Sequence, residues 1–381
     1  MKPDSTLKTW VEIDERAIAS NLKAFRSLVK PSVAVFAVVK SNAYGHGLRT
    51  FSRLVNRLKV DGFCVDSVPE GTTLRKENIK KPILVLGPTL SSLFGKARAG
   101  RITLSISNWD ALKVFVRKKT GGEYHLKLDT GMHRQGFYIE DVPKAIRLIS
   151  SHPGLRRGLS GIFTHFASAK DVSYPNYTLR QMKVFEEGQR LFRRAGFDHL
   201  VAHASATGGA ALYPRAHYNA VRIGIGLYGY WPTREAESQH PELWNRVVVL
   251  HPVLSWRARV SEVKPLRVGD YVGYDLSEKI RTPTQAAIIP VGYWHGLPRT
   301  LSSKGTVLVG GHRGKILGRV SMDLIAVGFG SRIRIRPGDI ATLIGSDRRE
   351  TINAEEFAEQ AGSVHYEILT RLNPLMERLT T

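Results

Sequence analysis

Eight short runs rich in β-branched and apolar residues recur between residues 33 and 225, and longer amphipathic segments separate them. The segments that begin at Gly47, Asn108 and Asn176 carry apolar residues at helical spacing. A strand followed by a helix, repeated eight times over about 200 residues, is typical of a (β/α)8 barrel. The eight runs are VAVFAVVK (33–40), GFCVDS (62–67), PILVLG (82–87), ITLSIS (102–107), YHLKLD (124–129), GIFTHF (161–166), LVAHAS (200–205) and AVRIGI (220–225).

A doubly wound open sheet is the structural alternative to the barrel. Open sheets of that type usually carry a Gly-rich nucleotide loop directly after the first strand. No G-x-G-x-x-G motif follows the first run where it ends at residue 40. The sequence therefore favours an α/β fold with an N-terminal TIM-type (β/α)8 barrel, and the open sheet stays as the alternative.

The pattern changes near residue 246, where short apolar runs separated by Gly and Pro turns follow one another with little predicted helix before residue 353. We predict a barrel over 1–243 and a mainly-β C-terminal domain with a terminal helix over 244–381. The polar, proline-containing segment 230–242 is the predicted linker. The first strand of the chain is a candidate to pair with the β domain.

The 381-residue chain carries 56 Lys and Arg residues against 33 Asp and Glu residues, a net charge of +23. Its basic residues are scattered beside apolar positions, which favours a solvated basic surface, or attraction for small anionic ligands, over a nucleic-acid site. The single cysteine, Cys64, lies in an apolar run and predicts a buried thiol in a reducing compartment. Neither a signal-peptide apolar region nor a membrane span of roughly 18 apolar residues is recognisable, so we predict a cytoplasmic protein.

Barrels of this kind place their sites at the carboxyl ends of the strands. A lysine that ends a buried strand loses part of its hydration, which favours the neutral amine that forms a Schiff base. A lysine that reaches out of the barrel mouth into solvent is the alternative. The polar residues at these ends are Lys40 and Tyr44 after the first strand, Lys127, Asp129 and Arg134 after the fifth, His165 on the sixth, His203, Ser205 and Thr207 after the seventh, and Arg222 and Gly224 after the eighth.

The loops after strands seven and eight are a common phosphate site in such barrels. Here these loops contain HASATGG and RIGIG. A lysine and a phosphate site in one barrel mouth suggest pyridoxal 5′-phosphate, whose aldehyde needs a lysine. His165 and His203, taken singly, are more often buried structural histidines than catalytic groups. The histidines on the predicted strands show neither helical nor finger-type metal-binding spacing, so we predict no metal site.

The segment VVKSNAYGHG (38–47) resembles the cofactor-lysine motif of the alanine racemases, which are fold-type III pyridoxal-phosphate enzymes. Further segments resemble the same family in the same order, so the resemblance spans nearly the whole chain. They are LKLDTGMHRQG (126–136), FTHFASA (163–169), NAVRIGIGLYG (219–229), VGYD (272–275), PVGYWHG (290–296) and GRVSMD (318–323).

The resemblance implies that Lys40 holds pyridoxal 5′-phosphate and also serves as one of two acid–base groups. It implies that Tyr44 contacts the phosphate, and that Thr207, Gly224 and Ile225 bind the cofactor from the two glycine-containing loops. The two acid–base groups follow from the chemistry, because a proton must leave one face of the amino acid and return on the other.

The second acid–base group implied by the resemblance is Tyr274, which in this family reaches the site from the second domain of a partner subunit. A homodimer with shared active sites follows. The resemblance also implies a chain in which His165 contacts the tyrosine and Arg222, with His203 behind the arginine and Arg222 facing the pyridine nitrogen of the cofactor. A permanently protonated arginine there favours racemisation over transamination or decarboxylation.

The remaining matches concern the substrate. Arg134 matches the arginine that binds the substrate carboxylate, assisted by the backbone N–H of Met322. Lys127 matches a lysine that is carbamylated in many members, and Tyr293 matches the tyrosine that narrows the entrance.

Several positions depart from the family pattern. Ala206 and Thr207 replace the usual Asn-Ser, although the threonine hydroxyl can still bind phosphate. His133 stands where glycine is usual, and Pro374 where a phosphate-contacting tyrosine is usual. The missing hydroxyl at Pro374 predicts weaker phosphate binding and a wider pocket.

We therefore expect a pyridoxal-phosphate-dependent isomerase that interconverts L- and D-alanine for peptidoglycan synthesis. The alternatives are a racemase of broader specificity that accepts serine or lysine, a fold-type III decarboxylase, and a non-catalytic pyridoxal-phosphate carrier. Decarboxylases of this type place an acid, not an arginine, at the pyridine nitrogen, and carriers of this kind lack a second domain.

Overall fold

The computed structural model describes residues 6–118, 122–171, 175–233 and 249–381. The chain divides into two compact units. The barrel unit comprises Ala17–Ser41 and Phe51–His251, and the β unit comprises Met1–Arg16, Asn42–Thr50 and Pro252–Thr381. The predicted boundary between residues 243 and 244, with most of the predicted linker 230–242, lies outside the described residues.

Strands and helices alternate along the barrel unit, whereas strands follow one another along most of the β unit. The described strands are β1 Thr9–Ile13, β2 Ala34–Val38, β3 Gly62–Val65, β4 Ile83–Val85, β5 Leu104–Ile106, β6 Tyr124–Lys127, β7 Leu159–Phe163, β8 Val201–His203, β9 Ala220–Ile223, β10 Leu254–Arg259, β11 Glu262–Leu266, β12 Tyr271–Val272, β13 Glu278–Lys279, β14 Thr284–Ile289, β15 Thr306–Val309, β16 His312–Leu317, β17 Ile325–Gly330, β18 Ile340–Asp347, β19 Glu350–Ile352 and β20 Arg378–Thr380. The described α-helices are α1 Glu15–Leu28, α2 Lys40–Tyr44, α3 Leu48–Asn56, α4 Val68–Lys76, α5 Phe94–Ala99, α6 Trp109–Lys118, α7 Val142–Ser150, α8 Pro153–Gly158, α9 Pro175–Arg194, α10 Thr207–Leu212, α11 Ala354–Ala361 and α12 His365–Thr370.

The barrel is an eight-stranded parallel sheet with strand order β4-β3-β2-β9-β8-β7-β6-β5. Its two edges meet, because the Val85 N–H donates to the Thr103 carbonyl (2.9 Å) and the Thr103 N–H donates to the Ile83 carbonyl (2.8 Å). All eight predicted strands are confirmed, but β7 begins at Leu159 and ends at Phe163, both earlier than expected. His165 therefore follows this strand and does not lie on it as predicted. The open-sheet alternative is wrong, since these hydrogen bonds join the edges that an open sheet leaves apart.

Barrel strands are buried along most of their length, as expected for a parallel sheet that helices cover on its outer face. Helix α1 buries Ile18, Leu22 and Phe25, which recur at helical spacing on one face. Four residues of the described barrel strands are nevertheless buried although they carry an imidazole or a charged group, and they are His125, Lys127, His203 and Arg222. Burying such groups is unfavourable unless they are hydrogen-bonded, so their partners define the candidate site.

The β unit is built on a sheet with strand order β11-β14-β17-β16-β15-β18-β10-β1-β20, to which β19 adds beside β18. Strand β1, from the beginning of the chain, pairs antiparallel with β10 and parallel with β20. Trp10 and Trp256 on these paired strands are fully buried. In the part of the chain that the structure describes, no helix has the length and apolar character needed to cross a membrane.

We predict that Leu308→Ala in β15 destabilises the fold by about 2–5 kcal/mol, because Leu308 is fully buried and truncation leaves a cavity. Leu375→Ala is the matched control, since Leu375 is 77% exposed, and it should change the free energy of unfolding by less than about 0.5 kcal/mol. Urea unfolding at one fixed protein concentration measures both. Equal effects of the two substitutions would contradict the assigned core of the β unit.

Candidate active site

Arg222 on β9 is a buried cation of the barrel unit, and the residue is only 2% exposed. Its Nη2 donates to the carbonyl oxygens of Thr164 and Ala204, each at 2.8 Å. Its guanidinium also lies 5.4 Å from the centre of the Phe163 ring. Burial lowers the pKa of Arg222 to about 10, so the group remains a cation near neutral pH.

Two histidines flank this guanidinium. Arg222 Nη1 lies 2.5 Å from His203 Nδ1, and Arg222 Nη2 lies 3.4 Å from His165 Nδ1. Burial, followed by the charge of Arg222, lowers the pKa of His165 to about 3 and holds the pKa of His203 well below its usual value. Both rings are therefore neutral near pH 7, and the predicted order His165, Arg222, His203 agrees with these contacts.

Lys127 is the last residue of strand β6, and Arg134 follows in the loop after it. Burial, followed by the nearby charge of Arg134, lowers the pKa of Lys127 to about 8. Lys127 Nζ donates to Gln135 Oε1 at 3.2 Å. The charges of Arg222, Arg134, Lys127 and Lys40 all contribute to lowering the pKa of His165, as expected for cations near this ring.

Asp129 shapes the turn that carries Arg134. Its Oδ1 accepts hydrogen bonds from the backbone N–H groups of Gly131 and His133, both at 3.0 Å, and its Oδ2 accepts the Arg134 N–H at 3.1 Å. His133 has a φ of +56°, a left-handed conformation that favours glycine. The glycine usual at this position therefore has a conformational reason, and Asp129 stabilises the turn that His133 must adopt here.

Lys40 does not end strand β2 as predicted, because the strand stops at Val38 and Lys40 begins helix α2. The four residues that follow it, Ser41–Tyr44, have φ values between +50° and +56°. Left-handed turns cost L-residues about 1–2 kcal/mol each, so this turn needs support from its surroundings. The backbone therefore turns away from the strand direction at Lys40 and does not continue as a strand.

The start of this left-handed turn is held within the barrel unit by Glu70. One carboxylate oxygen accepts the Ser41 N–H and the other accepts the Asp66 N–H, both at 2.8 Å. The SVPE segment at the start of α4 resembles a capping box, and Ser67 does cap the helix at the Glu70 N–H. In a capping box the Glu70 side chain would accept the N–H of the N-cap residue. Here it accepts the Ser41 N–H and so fixes the backbone beside Lys40.

The end of the turn is held within the β unit. Arg378 Nη2 donates to the Gly45 carbonyl at 3.0 Å. A Cβ at Gly45 would lie 1.8 Å from the Leu369 carbonyl oxygen, so only glycine fits there. The Tyr44 ring lies 6.1 Å from that of Tyr366, a residue not singled out from the sequence. Pro374, the expected departure near the C-terminus, is exposed.

The two loops predicted to bind phosphate are adjacent. Thr207 begins α10 after β8, and its hydroxyl oxygen accepts the Gly226 N–H at 3.2 Å. Gly224 and Ile225 lie in the same loop as Gly226, directly after β9. A Cβ at Gly226 would lie 2.4 Å from the Phe25 ring, so glycine allows the loop to pack closely. The structure thus brings Thr207, Gly224 and Ile225 together.

Three predicted site residues belong to the β unit and have exposed side chains. Tyr274, Met322 and Tyr293 are 70%, 55% and 47% exposed. Tyr274 precedes Asp275 and Leu276, whose φ values are +59° and +52°, so it too adjoins a strained turn. Two backbone hydrogen bonds join the Tyr293 and Met322 segments. The Tyr293 N–H donates to the Ser321 carbonyl, and the Trp294 N–H donates to the Met322 carbonyl, both at 3.0 Å.

His125 is the other residue of the site that the sequence reasoning did not select. Its Nδ1 lies 2.8 Å from His203 Nε2. Burial lowers the pKa of His125 to about 3, with a smaller contribution from Arg222. The alternation of side chains along a strand could have indicated it, because His125 lies two residues before Lys127 and so faces the same side of β6.

Both parts of the chain match the sequences of known proteins. Residues 13–232 match the family model described as alanine racemase, N-terminal domain, and residues 253–380 match that described as alanine racemase, C-terminal domain. An alanine racemase of Leptospira interrogans is 34% identical over 98% of this chain and 96% of its own length. One of Carboxydothermus hydrogenoformans is 32% identical over 97% of this chain and 98% of its own.

Solved structures give the same result. The alanine racemase of Bacillus anthracis with bound L-Ala-P has a TM-score of 0.91 and 30% identity, covering 98% of this chain and 95% of that one. The alanine racemase of Clostridium difficile 630 has a TM-score of 0.90 and 28% identity, covering 99% and 96%. Because both domain models match in order and the relatives match from end to end, the chain belongs to the alanine racemase family.

Proposed function

We propose that this chain is a pyridoxal-phosphate-dependent racemase that interconverts L- and D-alanine. The observation that carries the proposal is the buried Arg222, which contacts His165 and His203. The charges of Lys40, Lys127 and Arg134 also lower the pKa of His165. The relatives that match this chain from end to end are named alanine racemases, which supports alanine as the substrate.

The residues present fit pyridoxal 5′-phosphate. A phosphate needs several donors at a close-packed backbone, and the joined loops of Thr207, Gly224 and Ile225 offer a hydroxyl and backbone N–H groups. Tyr44 would add a phenol, and Lys40 would supply the amine that binds the aldehyde. When bound, the cofactor withdraws electrons from the amino-acid Cα and so acidifies its proton.

Lys40 of one subunit would act as one acid–base group, and Tyr274 of the partner subunit would act as the other, on the opposite face of the amino acid. Racemisation requires a proton to leave one face and another to arrive on the other, and a single base would have to move around the substrate. With one group on each face, either enantiomer can lose its proton to one group and gain a proton from the other.

Arg222 would prepare His165 for the tyrosine. Arginine has donors only, so the His165 nitrogen that faces Arg222, Nδ1, must accept. The neutral ring then carries its proton on Nε2, where it can donate to a phenolate oxygen. This donor would favour the deprotonated form of Tyr274 of the partner subunit, because a phenol is otherwise mostly protonated near neutral pH.

The contacts of Arg222 also argue against the decarboxylase alternative. An arginine facing the pyridine nitrogen of the cofactor would leave that nitrogen unprotonated, whereas the decarboxylases of this fold type place an acid there.

Arg134 and the Met322 N–H would bind the substrate carboxylate, and Tyr293 would narrow the entrance. An arginine suits this task because its planar donor pair matches a carboxylate.

A homodimer is part of the proposal, because Tyr274 would serve the site of the other subunit. The β unit exposes several large apolar side chains, as expected for a surface that a partner covers. They are Tyr271, Tyr274, Leu276, Trp294, Met322 and Leu324. We also propose a cytoplasmic location, from the single buried cysteine.

We predict that the protein with added pyridoxal phosphate abolishes the circular dichroism of L-alanine over time, and that Lys40→Ala loses both this activity and the visible absorbance band of the cofactor. L-serine and L-lysine run in parallel test substrate breadth. Decay of all three would indicate a broader racemase. No decay with any of them, or normal racemisation by Lys40→Ala, would overturn the proposal.

Tyr274→Phe should lower kcat by roughly 100-fold or more, because it removes one acid–base group, while the cofactor absorbance band is retained. Tyr271→Phe is the matched control, since it removes an exposed phenol close in sequence. A carrier without turnover would have no activity for either substitution to reduce. Equal, small effects of the two changes would contradict the role of Tyr274.

Lys127 is proposed to be carbamylated, and the structure offers a physical reason. Carbon dioxide reacts with the neutral amine, whose fraction grows as the pH rises through the pKa of Lys127 at about 8, lower than for an exposed lysine. We predict a carbamate signal in the 13C NMR spectrum after incubation with 13C-bicarbonate at pH 8, absent at pH 6 and absent in Lys127→Ala. A wild-type spectrum without that signal at pH 8 would contradict the proposal.

A further inference from the structure

His125 is 6% exposed, lies on β6 inside the barrel unit and takes no part in the mechanism proposed above. Its Nδ1 lies 2.8 Å from His203 Nε2, and His203 Nδ1 contacts Arg222. We infer that His125 is a positioning residue that holds His203 in the tautomer which accepts a hydrogen bond from Arg222. The inference deepens the proposed function and rests on it for the role of Arg222.

The direction of each hydrogen bond follows from the chemistry of arginine. A guanidinium has five N–H donors and no acceptor, so His203 Nδ1 must be unprotonated where it meets Arg222. The neutral His203 ring then carries its proton on Nε2. That proton points to His125 Nδ1, which must accept it, and His125 in turn carries its own proton on Nε2.

The other protonation states conflict with the contacts. A proton on His203 Nδ1 would face an Arg222 N–H, and two donors would meet. A doubly protonated His203 would place a second cation beside Arg222 in a buried site, which burial and the arginine charge both oppose. Without an acceptor at position 125, the His203 Nε2–H would be a buried donor with its partner removed.

Close packing fixes the positions of the His125 and His203 rings. A Cβ at Gly161 on β7 would lie 2.7 Å from His125 Cε1 and Nε2, and also 2.7 Å from the Val201 carbonyl oxygen. The position beside the imidazole therefore needs glycine. The ring of His203, the hydrogen-bond partner of His125, stacks on Phe163 with centroids 4.9 Å apart and planes at 5°. His203 is thus held by a ring contact on one side and by His125 through its Nε2.

Because His125 makes its hydrogen bond to His203, its effect would pass through His203 to Arg222. Arg222 also donates towards His165, so a displaced guanidinium would alter the ring proposed to face the catalytic tyrosine. Loss of the acceptor should therefore change kcat more than KM, since substrate binding is assigned to Arg134 and Met322.

The first test uses the wild-type chain labelled with 15N-histidine, both with and without pyridoxal phosphate. The expected spectrum shows His203 neutral, protonated on Nε2 and unprotonated on Nδ1, with its signal assigned by loss in His203→Gln. His203 protonated on Nδ1, or on both nitrogens, would overturn the inference. This readout depends on neither activity nor the folding of a variant at position 125.

The second test compares His125→Leu with His125→Asn. Asparagine can place an acceptor oxygen near the position of Nδ1, whereas leucine cannot, so we expect about a 10- to 100-fold loss of kcat in His125→Leu with little change in KM, and recovery of most of that loss in His125→Asn. The same 15N spectrum should show a shifted His203 signal in His125→Leu alone.

Tyr124→Phe is the matched control. Tyr124 precedes His125 on β6, is fully buried, and donates its hydroxyl proton to the Leu155 carbonyl at 3.1 Å, a hydrogen bond in which neither His203 nor Arg222 takes part. It should lower stability and leave kcat and the His203 signal unchanged. Equal kcat losses in Tyr124→Phe and His125→Leu would mean that His125 is merely structural. An inactive wild type would overturn the proposed racemase, while the wild-type spectrum would still decide the tautomer.

Discussion

The buried guanidinium of Arg222 is the interaction on which the barrel site depends. Among the described residues no carboxylate forms an ion pair with it, and its partners are neutral carbonyl oxygens and imidazole nitrogens. A buried cation is tolerated only where such acceptors surround it, so the neutral state of His165 and His203 is a condition of its burial. One donor-only side chain thereby sets the proton positions around it.

A strained turn sets the second condition of the site. Ser41–Tyr44 adopt left-handed φ values that L-residues avoid, and Glu70 at one end and Arg378 at the other hold the backbone of this segment. Strain of this kind persists only where surrounding contacts over-determine it, and it concentrates at functional positions. The lysine amine is therefore positioned by a backbone whose conformation many contacts maintain, rather than by the end of a strand.

The departures from the family pattern have local physical explanations. Thr207 keeps a hydroxyl in the loop proposed to bind phosphate, where it accepts the Gly226 N–H. His133 adopts the φ that glycine would adopt more easily, with Asp129 accepting backbone hydrogen bonds from its turn. Pro374 is exposed, and the tyrosine whose ring approaches Tyr44 is Tyr366. Burial raises the pKa of Tyr366, so this phenol stays protonated.

Sequence alone determined the barrel, the mainly-β second domain and the family, because strand and helix periods are local and the motif segments occur in one order. It also selected Lys40, Arg222, His165 and His203. It missed the left-handed turn at Ser41–Tyr44, and it missed Glu70 and His125 as partners, since these depend on backbone conformation and on contacts between strands distant in the chain. Only the tertiary structure decided which nitrogen faces which donor, because a hydrogen bond between β6 and β8 has no signature in the local sequence of either strand.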